Sequence, residues 1–503
     1  MKKTSVGILS GVAAAIAVVV VGGAWYTGKR LPAELDHALA QGNAQLQKSL
    51  ANTGGSMRIE RVSLEQHWFS STARYRLIAR DVRVSNKTLT NFEVSLTDHI
   101  EHGPFPWSRV KTLRLMPVLA HSTSTLDKDE GTSAWYDAAD GRVPVSAQTS
   151  LGYGGSIDSE IHLAPVKVED SDRAGLTFSG LDLQVSGDRD GKDSRFHGSA
   201  DQFLVKMVYE DQPPVIFELK GLKLGGKLAA TAFDNFYAGN VDLYLAEAKM
   251  TVGPRQQMLV IKGLEQNILQ GVEGPETVGG RVEYKLGDIT WDGRAVGKAQ
   301  MTVSLKSINA PAFQALSNWY GSHLPEFEAA AAAGQPVPRI DMDEAEKAKF
   351  QGDLRALLAA EPKLAIEDLS FKTANGESHF NLAADFKAPA SFDLPEDQVV
   401  RQLVSQVVGK LSLSKPMLGD LATLQALLDG QTDAQAIAMQ SSQAGEMVGL
   451  VAVQSGLGTV QGSDVVSTVR YADGMVEFNG QKMTPQAFAA LLQAPLAGLS
   501  PQP

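Results

Sequence analysis

The 503-residue chain contains no cysteine. Disulfides, cysteine-based zinc or iron–sulfur sites, a thiol nucleophile and a lipidated N-terminal cysteine are therefore all excluded. Long runs of lysine or arginine are also missing, and 57 acidic against 46 basic residues leave a formal net charge of −11. A chain with that balance is a poor candidate for binding nucleic acid through its phosphates. We expect no nucleic-acid partner.

The local motifs of catalysis and cofactor binding are missing as well. The sequence has no Gly-x-Ser-x-Gly, His-Glu-x-x-His, Walker loop or Gly-x-Gly-x-x-Gly. Its nine histidines are mostly isolated, and the acidic loop at 188–193 lacks the ligand spacing and distal glutamate of an EF-hand. We therefore assign no catalytic, cofactor-binding or metal-ligating residue and expect a protein that is not an enzyme. A hydrolase with two dispersed carboxylates carries no local signature, so that class stays open.

The apolar segment at the start of the chain predicts a membrane span. The run from Val6 to Tyr26 carries no charge, and about 20 such residues cross a hydrocarbon core as a helix. Trp25 and Tyr26 lie where an aromatic belt at the membrane interface belongs. The alternative is a cleaved signal peptide, whose apolar run is usually only about 7–15 residues long. The residues alone predict a single-pass anchor and leave its orientation open.

The period of the apolar residues becomes two from Arg58 onward, which is typical of strands with one dry face. A recurring unit lies in this region: two apolar residues alternate, two residues intervene, and two more apolar residues follow in the opposite phase. Its copies begin at Leu176, Phe217, Leu259, Tyr284 and Leu364. Such a slip turns later side chains to the other face unless the strand bulges or bends. The glycines in or beside the slips are Gly180, Gly221, Gly263 and Gly287. The pattern indicates either repeated bulged hairpins in one sheet or the chance pattern of any long antiparallel sheet.

Helical periodicity interrupts the β pattern twice. Residues 311–361 predict helices, and because the β unit resumes at Leu364 we interpret them as an insertion into the sheet. From Pro395 a stripe at helical spacing predicts one amphipathic helix that includes Val400, Leu403, Val404, Val407, Val408 and Leu411. Two further helices are predicted up to Val453. A hairpin at 465–483 and a helix from Pro485 complete the prediction.

These patterns together predict an α+β protein. An N-terminal transmembrane helix precedes an extended, bent antiparallel β-sheet of repeated bulged hairpins, which amphipathic helices cover in part. The predicted organisation is a cytoplasmic tip and transmembrane anchor at 1–28, a juxtamembrane helix and N-terminal β region at 29–150, a repeated β-hairpin sheet at 151–310, a helical insertion at 311–361, a return to the sheet at 362–390, a helical region at 391–463, and a C-terminal hairpin and helix at 464–503.

One segment is a candidate interaction site. Strand alternation separates His99 from His102, and Gly103 and Pro104 follow at once, which disfavours a metal site. Proline lacks a donor for the strand ladder, so the segment belongs at an edge or outside the sheet. Two interpretations stay open, a packing corner and a surface that docks a partner. Both involve His102, Pro104, Phe105, Pro106 and Trp107.

Several ordered motifs resemble those of the YdgA family of uncharacterised Gram-negative inner-membrane and periplasmic proteins. They are Gly22–Gly28, Asp98–Pro106, Asp188–Lys192, Tyr471–Gly474 and Asn479–Met483, so the resemblance covers almost the full length. It implies a cytoplasmic N-terminus, one span of the bacterial inner membrane and a periplasmic body. It implies no activity, because the family has no established functional residues. The alanine run at 329–333 departs from the family in detail.

Two functions are compatible with these sequence features. In the first, the protein is a non-enzymatic envelope scaffold that acts through a protein partner or self-association. In the alternative, an apolar β-groove binds or transfers a lipid or other amphiphile, since the β pattern is similar in style to AsmA-type lipid-handling envelope proteins. The expected partners are the membrane, a homo-oligomer or envelope protein, and a lipid, and no cofactor is expected.

Overall fold

A computed structural model describes residues 55–497 apart from 86–87, 171–173, 190, 209–212, 234–235, 336–337 and 339, together with residues 36, 39–40, 42–44 and 46–47. The predicted anchor, with Trp25 and Tyr26, lies outside these residues. Within them, no helix has the length and apolar character needed to cross a membrane. The chain forms two compact units, Met1–Ala232 and Phe233–Pro503. Their boundary falls inside the segment 151–310, which the sequence predicted to be one sheet region.

The first unit is an antiparallel sheet in which consecutive strands pair, with two short helices in its connections. The elements are β1 (Ser56–Gln66), β2 (Ser70–Ser85), β3 (Thr88–His102), α1 (Trp107–Lys111), β4 (Ala120–Leu126), α2 (Ser133–Ala138), β5 (Val145–Leu151), β6 (Ser156–Leu163), β7 (Val166–Asp170), β8 (Ala174–Phe178), β9 (Leu181–Asp188), β10 (Asp193–Met207) and β11 (Val215–Ala230). The bent hairpin made by β6 to β9 continues the order of the sheet into β10 and β11.

One face of this sheet carries the core of the first unit. Alternate residues of β1 to β6 point inward, and Leu77, Ile100 and Leu126 are almost fully buried there. Leu46, from the segment before β1, and Tyr136 of α2 close the core. The Tyr136 hydroxyl donates to the backbone oxygen of Leu126, so this buried phenol has a partner.

The second unit repeats the meander, with helices inserted between paired strands. Its elements are β12 (Tyr237–Val252), β13 (Gln257–Val272), β14 (Thr277–Trp291), β15 (Arg294–Asn309), α3 (Ala310–Ser322), α4 (Leu324–Ala332), α5 (Glu344–Ala359), β16 (Lys363–Lys372), β17 (Glu377–Phe386), α6 (Glu396–Leu403), β18 (Val404–Ser414), α7 (Lys415–Leu428), α8 (Ala434–Gln454), β19 (Thr459–Gln461), β20 (Asp464–Ala472), β21 (Met475–Phe478), β22 (Gln481–Met483) and α9 (Pro485–Ala497).

The helices α3 to α5 are an insertion into the sheet, as the sequence predicted. The strands on either side of them, β15 and β16, pair directly with each other. Asn309 caps α3 by accepting from the backbone N–H of Ala312 at 2.9 Å. Leu357 of α5 packs against Val278 and Ile308, so the insertion covers one end of the sheet.

The predicted helix from Pro395 through Leu411 is wrong in its second half. The helix ends at Leu403, and Val404–Ser414 is a strand that pairs with β17 on one side and β20 on the other. β-Branched valines suit a strand. Two neighbouring strands also supply ladder hydrogen bonds on both edges, which overrides the local helical spacing. Two other predicted helices are confirmed as α7 and α8.

The phase slips of the repeated unit have two different structural causes. Gly180, Gly221 and Gly263 have positive φ values of 94°, 64° and 67°, a region that side chains rarely adopt. The pairing register around Gly221 is unchanged, so the predicted bulge at this position is wrong. The phase slip there comes instead from a residue in the left-handed conformation. Bulges with a register shift do occur at the other two copies, between Leu286 and Ile289 and between Ile366 and Leu369.

Candidate functional site

The predicted interaction segment is a rigid corner at the end of β3. His102 lies within hydrogen-bond distance of the Ser71 hydroxyl, at 2.9 Å from Nε2, and burial lowers the pKa of this imidazole. The backbone N–H of His102 donates to Phe69, and that of Gly103 donates to Leu119. Glu101 accepts from the backbone N–H of Ser108 at 3.0 Å, which satisfies a donor in the first turn of α1.

The side chains of this corner divide between the interior and the solvent. Pro106 is buried, whereas Phe105 and Trp107 are 60% and 62% exposed. The prolines lie outside every strand, as their missing donor predicted. Exposure of both aromatic rings favours a docking surface over a packing corner.

Further exposed apolar residues, which were not predicted from the sequence, surround this corner. Trp68 and Phe69 form the turn between β1 and β2 and are 94% and 79% exposed. The loop after α1 adds three more. We call the whole set the loop surface: Trp68, Phe69, Phe105, Trp107, Leu113, Leu115 and Met116. The sequence signal for Trp68 and Phe69 was a Trp-Phe pair between two predicted strands. Phe105 and Trp107 lie more than thirty positions later, so the sequence alone did not connect the two pairs.

A polar cluster beneath α1 holds the loop surface to the sheet. Arg109 donates to the Ser150 hydroxyl at 2.7 Å, and His121 Nδ1 lies 3.0 Å from the same oxygen. Burial, and then the charge of Arg109, lowers the pKa of His121, which favours the neutral imidazole. Arg114 pairs with Glu160 at 2.8 Å. These contacts fix α1 and its following loop on the strands below.

A buried carboxylate lies on the core side of the same strands. Asp98 is 3% exposed and accepts hydrogen bonds from Ser122 and Ser124 at 2.5 and 2.9 Å. Burial raises its pKa, and the two hydroxyls oppose that shift without cancelling it. Burial likewise raises the pKa of the neighbouring Tyr75, with the Asp98 charge as a second cause. The described residues hold no cluster of three or more His, Asp or Glu suited to a metal.

The second unit brings apolar side chains from many strands onto one face of its sheet. Residues paired in register share a face, and the pairing sets up continuous rows. The central row is Val241, Ile268, Val282, Val303, Ile366, Leu382, Gly409, Val469 and Phe478. A second row is Tyr284, Met301, Leu369, Phe380 and Leu411, and a third includes Leu305, Leu364, Ala384 and Val407. We call these three rows the apolar face.

The apolar face remains accessible to solvent on both sides of its central row. Five of its large side chains are each more than a third exposed: Tyr284, Leu305, Leu364, Leu369 and Leu411. At one edge Phe488 of α9 contacts Phe478, with ring centroids 5.1 Å apart. The opposite face of the same strands is ionic, with Arg281 2.8 Å from Glu367 and Lys285 3.2 Å from Glu283. The sheet is therefore amphipathic.

A groove of about 750 Å³ lies across β12 to β16, farther along the same strands. Met258, Val260, Ile289 and Ala295 give it an apolar lining. Its charged lining residues are Lys249, Lys262, Lys298, Lys372, Glu247 and Asp288. The lining has four lysines and two carboxylates, but three of the lysines are in ion pairs. Lys298 pairs with Asp288 at 3.2 Å, Lys262 with Glu247 at 4.0 Å, and Lys372 with Glu377, outside the lining, at 3.0 Å. The volume lies within the usual range of small-molecule sites, roughly 300–1,000 Å³.

Comparison with known proteins identifies the family. A family profile described as "Bacterial protein of unknown function (DUF945)" matches residues 1–486. The chain belongs to this family. It is 28% identical to Protein YdgA of Escherichia coli over 98% of this chain and 97% of that protein, which confirms the resemblance to the YdgA family. No solved structure matches.

Two further relatives carry no functional name. An uncharacterized protein of Haemophilus influenzae is 23% identical over 63% of this chain and 86% of its own length. The uncharacterized protein YihF of Escherichia coli is 22% identical over 95% of this chain and 97% of its own length. Function is therefore inferred from the geometry of the two units.

Proposed function

We propose that this protein is a membrane-anchored protein of the bacterial envelope, with a periplasmic body whose apolar face binds the acyl chain of a lipid or similar amphiphile. The observation that carries the proposal is the pair of rows beside the central row of the apolar face, where Tyr284, Leu305, Leu364, Leu369 and Leu411 stay exposed. Contiguous exposed apolar surface marks interaction sites in soluble proteins. The aligned rows offer an extended contact, which suits a long chain better than a compact ligand.

The groove is not a continuation of the apolar face at β15 and β16. Lys298 and Lys372 line the groove, and each lies three positions from an apolar-face residue, Met301 or Leu369, in unshifted register. Side chains an odd number of positions apart point to opposite faces of a strand. The proposal therefore rests on the apolar face alone.

The scaffold function makes a different use of the same face. A protein partner or a second copy would cover the side chains that an acyl chain covers here. The two functions therefore differ in what lies against Leu369, which is 42% exposed in the second row of the apolar face. Leu269 is a matched control, because it is a 61% exposed leucine on β13 of the same sheet. Its register partner is Arg281, on the ionic face.

The test is site-specific photocrosslinking in cells that produce the full chain. Benzoyl-phenylalanine replaces Leu369 in one variant and Leu269 in the other, and the purified protein is analysed by mass spectrometry after irradiation. We expect adducts with the mass of a lipid at position 369 and none at 269. Adducts with a protein at 369, absence of any adduct there, or equal lipid adducts at both positions would overturn the proposal.

A further inference from the structure

The loop surface is the most exposed apolar region described in the first unit, and its side chains lie on turns rather than on a sheet face. Trp68 and Phe69 are at a hairpin tip, and Phe105 and Trp107 are on the corner beside it. Hydrophobic side chains at projecting turns enter the boundary between lipid headgroups and acyl chains without exposing strand backbone to lipid. Tryptophan in particular favours that boundary, because its ring is apolar and its N–H is polar.

The backbone holds these turns together as one surface. The N–H of His102 donates to the oxygen of Phe69 at 2.8 Å, which ties the hairpin tip to the corner. The N–H of Val118 donates to Pro104 at 3.1 Å, which closes the loop after α1. The loop surface is therefore built before any ligand arrives, so little ordering entropy opposes its docking.

The charge of the loop surface suits an anionic lipid. Residues 103–118 and 67–70 contain no acidic residue. Of the three basic residues in 103–118, Arg109 and Arg114 bond Ser150 and Glu160 on the strands below, which leaves Lys111 on the loop itself. The ammonium group of Lys111 lies 5.5 Å from the centre of the Trp107 ring. A basic residue at the membrane surface is attracted to anionic headgroups.

Two described contacts give the direction of the chain before β1. Asn43 is bonded to Ile59, with distances of 2.9 and 2.7 Å to its backbone atoms. Asp36 contacts Arg61 at 2.8 Å, farther along β1 toward the Trp68 turn. Going back along the chain from 43 to 36 therefore moves toward the loop surface. Tyr26, the end of the predicted span, precedes Asp36 by only ten positions.

We propose that the loop surface inserts into the interface of the anionic membrane that holds the anchor. The occupant is a lipid surface, and the insertion fixes the orientation of the first unit on it. This site is separate from the apolar face. It adds to the proposed function a second, shallow attachment beside the membrane span.

Fluorescent labels at single cysteines test this inference in the full chain, which has no cysteine of its own. Phe69→Cys and Trp107→Cys place an environment-sensitive label on the loop surface. Val143→Cys is the control. Val143 is an exposed apolar residue just before the start of β5. The corner is bonded to the other end of that strand, because Gly103 donates to Leu119 and Leu119 donates to Leu151. The labelled chains are reconstituted into vesicles of phosphatidylethanolamine and phosphatidylglycerol that contain lipids with a nitroxide quencher.

We expect the labels at 69 and 107 to be quenched at a depth of about 5–10 Å, and the label at 143 to stay in water. Lys111→Glu should make the labels shallower in vesicles with phosphatidylglycerol and leave them unchanged in phosphatidylethanolamine with phosphatidylcholine. Insertion would be refuted if the labels at 69 and 107 stayed in water, which is the result expected in pure lipid for a surface that docks a protein. Equal quenching at all three positions would also refute it. Neither result depends on lipid adducts at Leu369.

Discussion

Replacing Gly263 by valine tests the cause of the phase slips. Gly263 has a φ of 67°, and a Cβ added there would meet nothing within 4 Å. The cost of a side chain is therefore conformational rather than a clash. Left-handed backbone costs an L-residue about 1–2 kcal/mol, and a β-branched residue is the least tolerant of it. We expect Gly263→Val to lower the free energy of local opening of β13 by about 2 kcal/mol.

Gly271→Val is the matched control on the same strand. A Cβ at Gly271 also meets nothing within 4 Å, but its φ is not positive. Valine in ordinary strand conformation is favoured over glycine by about 0.5–1 kcal/mol. The control should therefore leave the opening free energy unchanged or raise it slightly.

Hydrogen exchange measured by mass spectrometry on peptides of β13 reads local opening without assuming that both units unfold together. A loss of 2 kcal/mol corresponds to exchange about 30 times faster, at about 1.4 kcal/mol per factor of ten. Peptides of the first unit serve as an internal reference. Wild-type exchange in Gly263→Val, or equal acceleration in both variants, would refute a left-handed residue as the cause of the slip.

Three further substitutions test the buried and exposed groups by urea unfolding. Phe105→Ala should cost less than about 1 kcal/mol, since its ring is mostly exposed, whereas a buried ring costs about 3–5; a loss above about 2 would show that it packs. Burial raises the folded pKa of Asp98, so its contribution to stability is present below the unfolded pKa of about 3.9 and is lost as the pH rises through the folded pKa. Asp98→Asn should therefore gain on wild type as the pH rises above about 3.9, and a shrinking difference would contradict this. Burial of Asp420 raises its pKa, but hydrogen bonds from Thr373 and Asn375 outweigh it and the net pKa is lowered. Its contribution is present above about pH 3.9 and lost as the pH falls through the folded pKa, so Asp420→Asn should cost about 1–2 kcal/mol at pH 7 and less at pH 3.5; an equal cost at both would argue against it.

Local sequence signals were sufficient for the helices and turns that depend on nearby residues. The leucine spacing in α7 and the long stripe of α8 predicted both helices, and each is capped by the side chain just before it, Ser414 or Asp433. The closing turns were predicted from Asp473-Gly474 and Asn479-Gly480, where all four residues have positive φ. These features need only interactions between residues close in sequence.

The candidate site was predictable only in part. The prolines flanking Phe105 are a local signal, and they correctly predicted a corner outside the sheet. Trp68 and Phe69 could not be added, because the pairing of β2 with β3 brings them beside that corner. The exposure of Phe105 and Trp107 on either side of the buried Pro106 is likewise known only from the structure.

The sequence by itself determined that this chain forms amphipathic strands with helices inserted between them, because a period of two or of 3.6 is a local property of side-chain direction. Only the tertiary structure decided that Val404–Ser414 is a strand, since its ladder partners come from β17 and β20. The same holds for the apolar face. Its rows exist because the register of each strand pair aligns side chains that are far apart in sequence, and one slipped residue in any strand would break them.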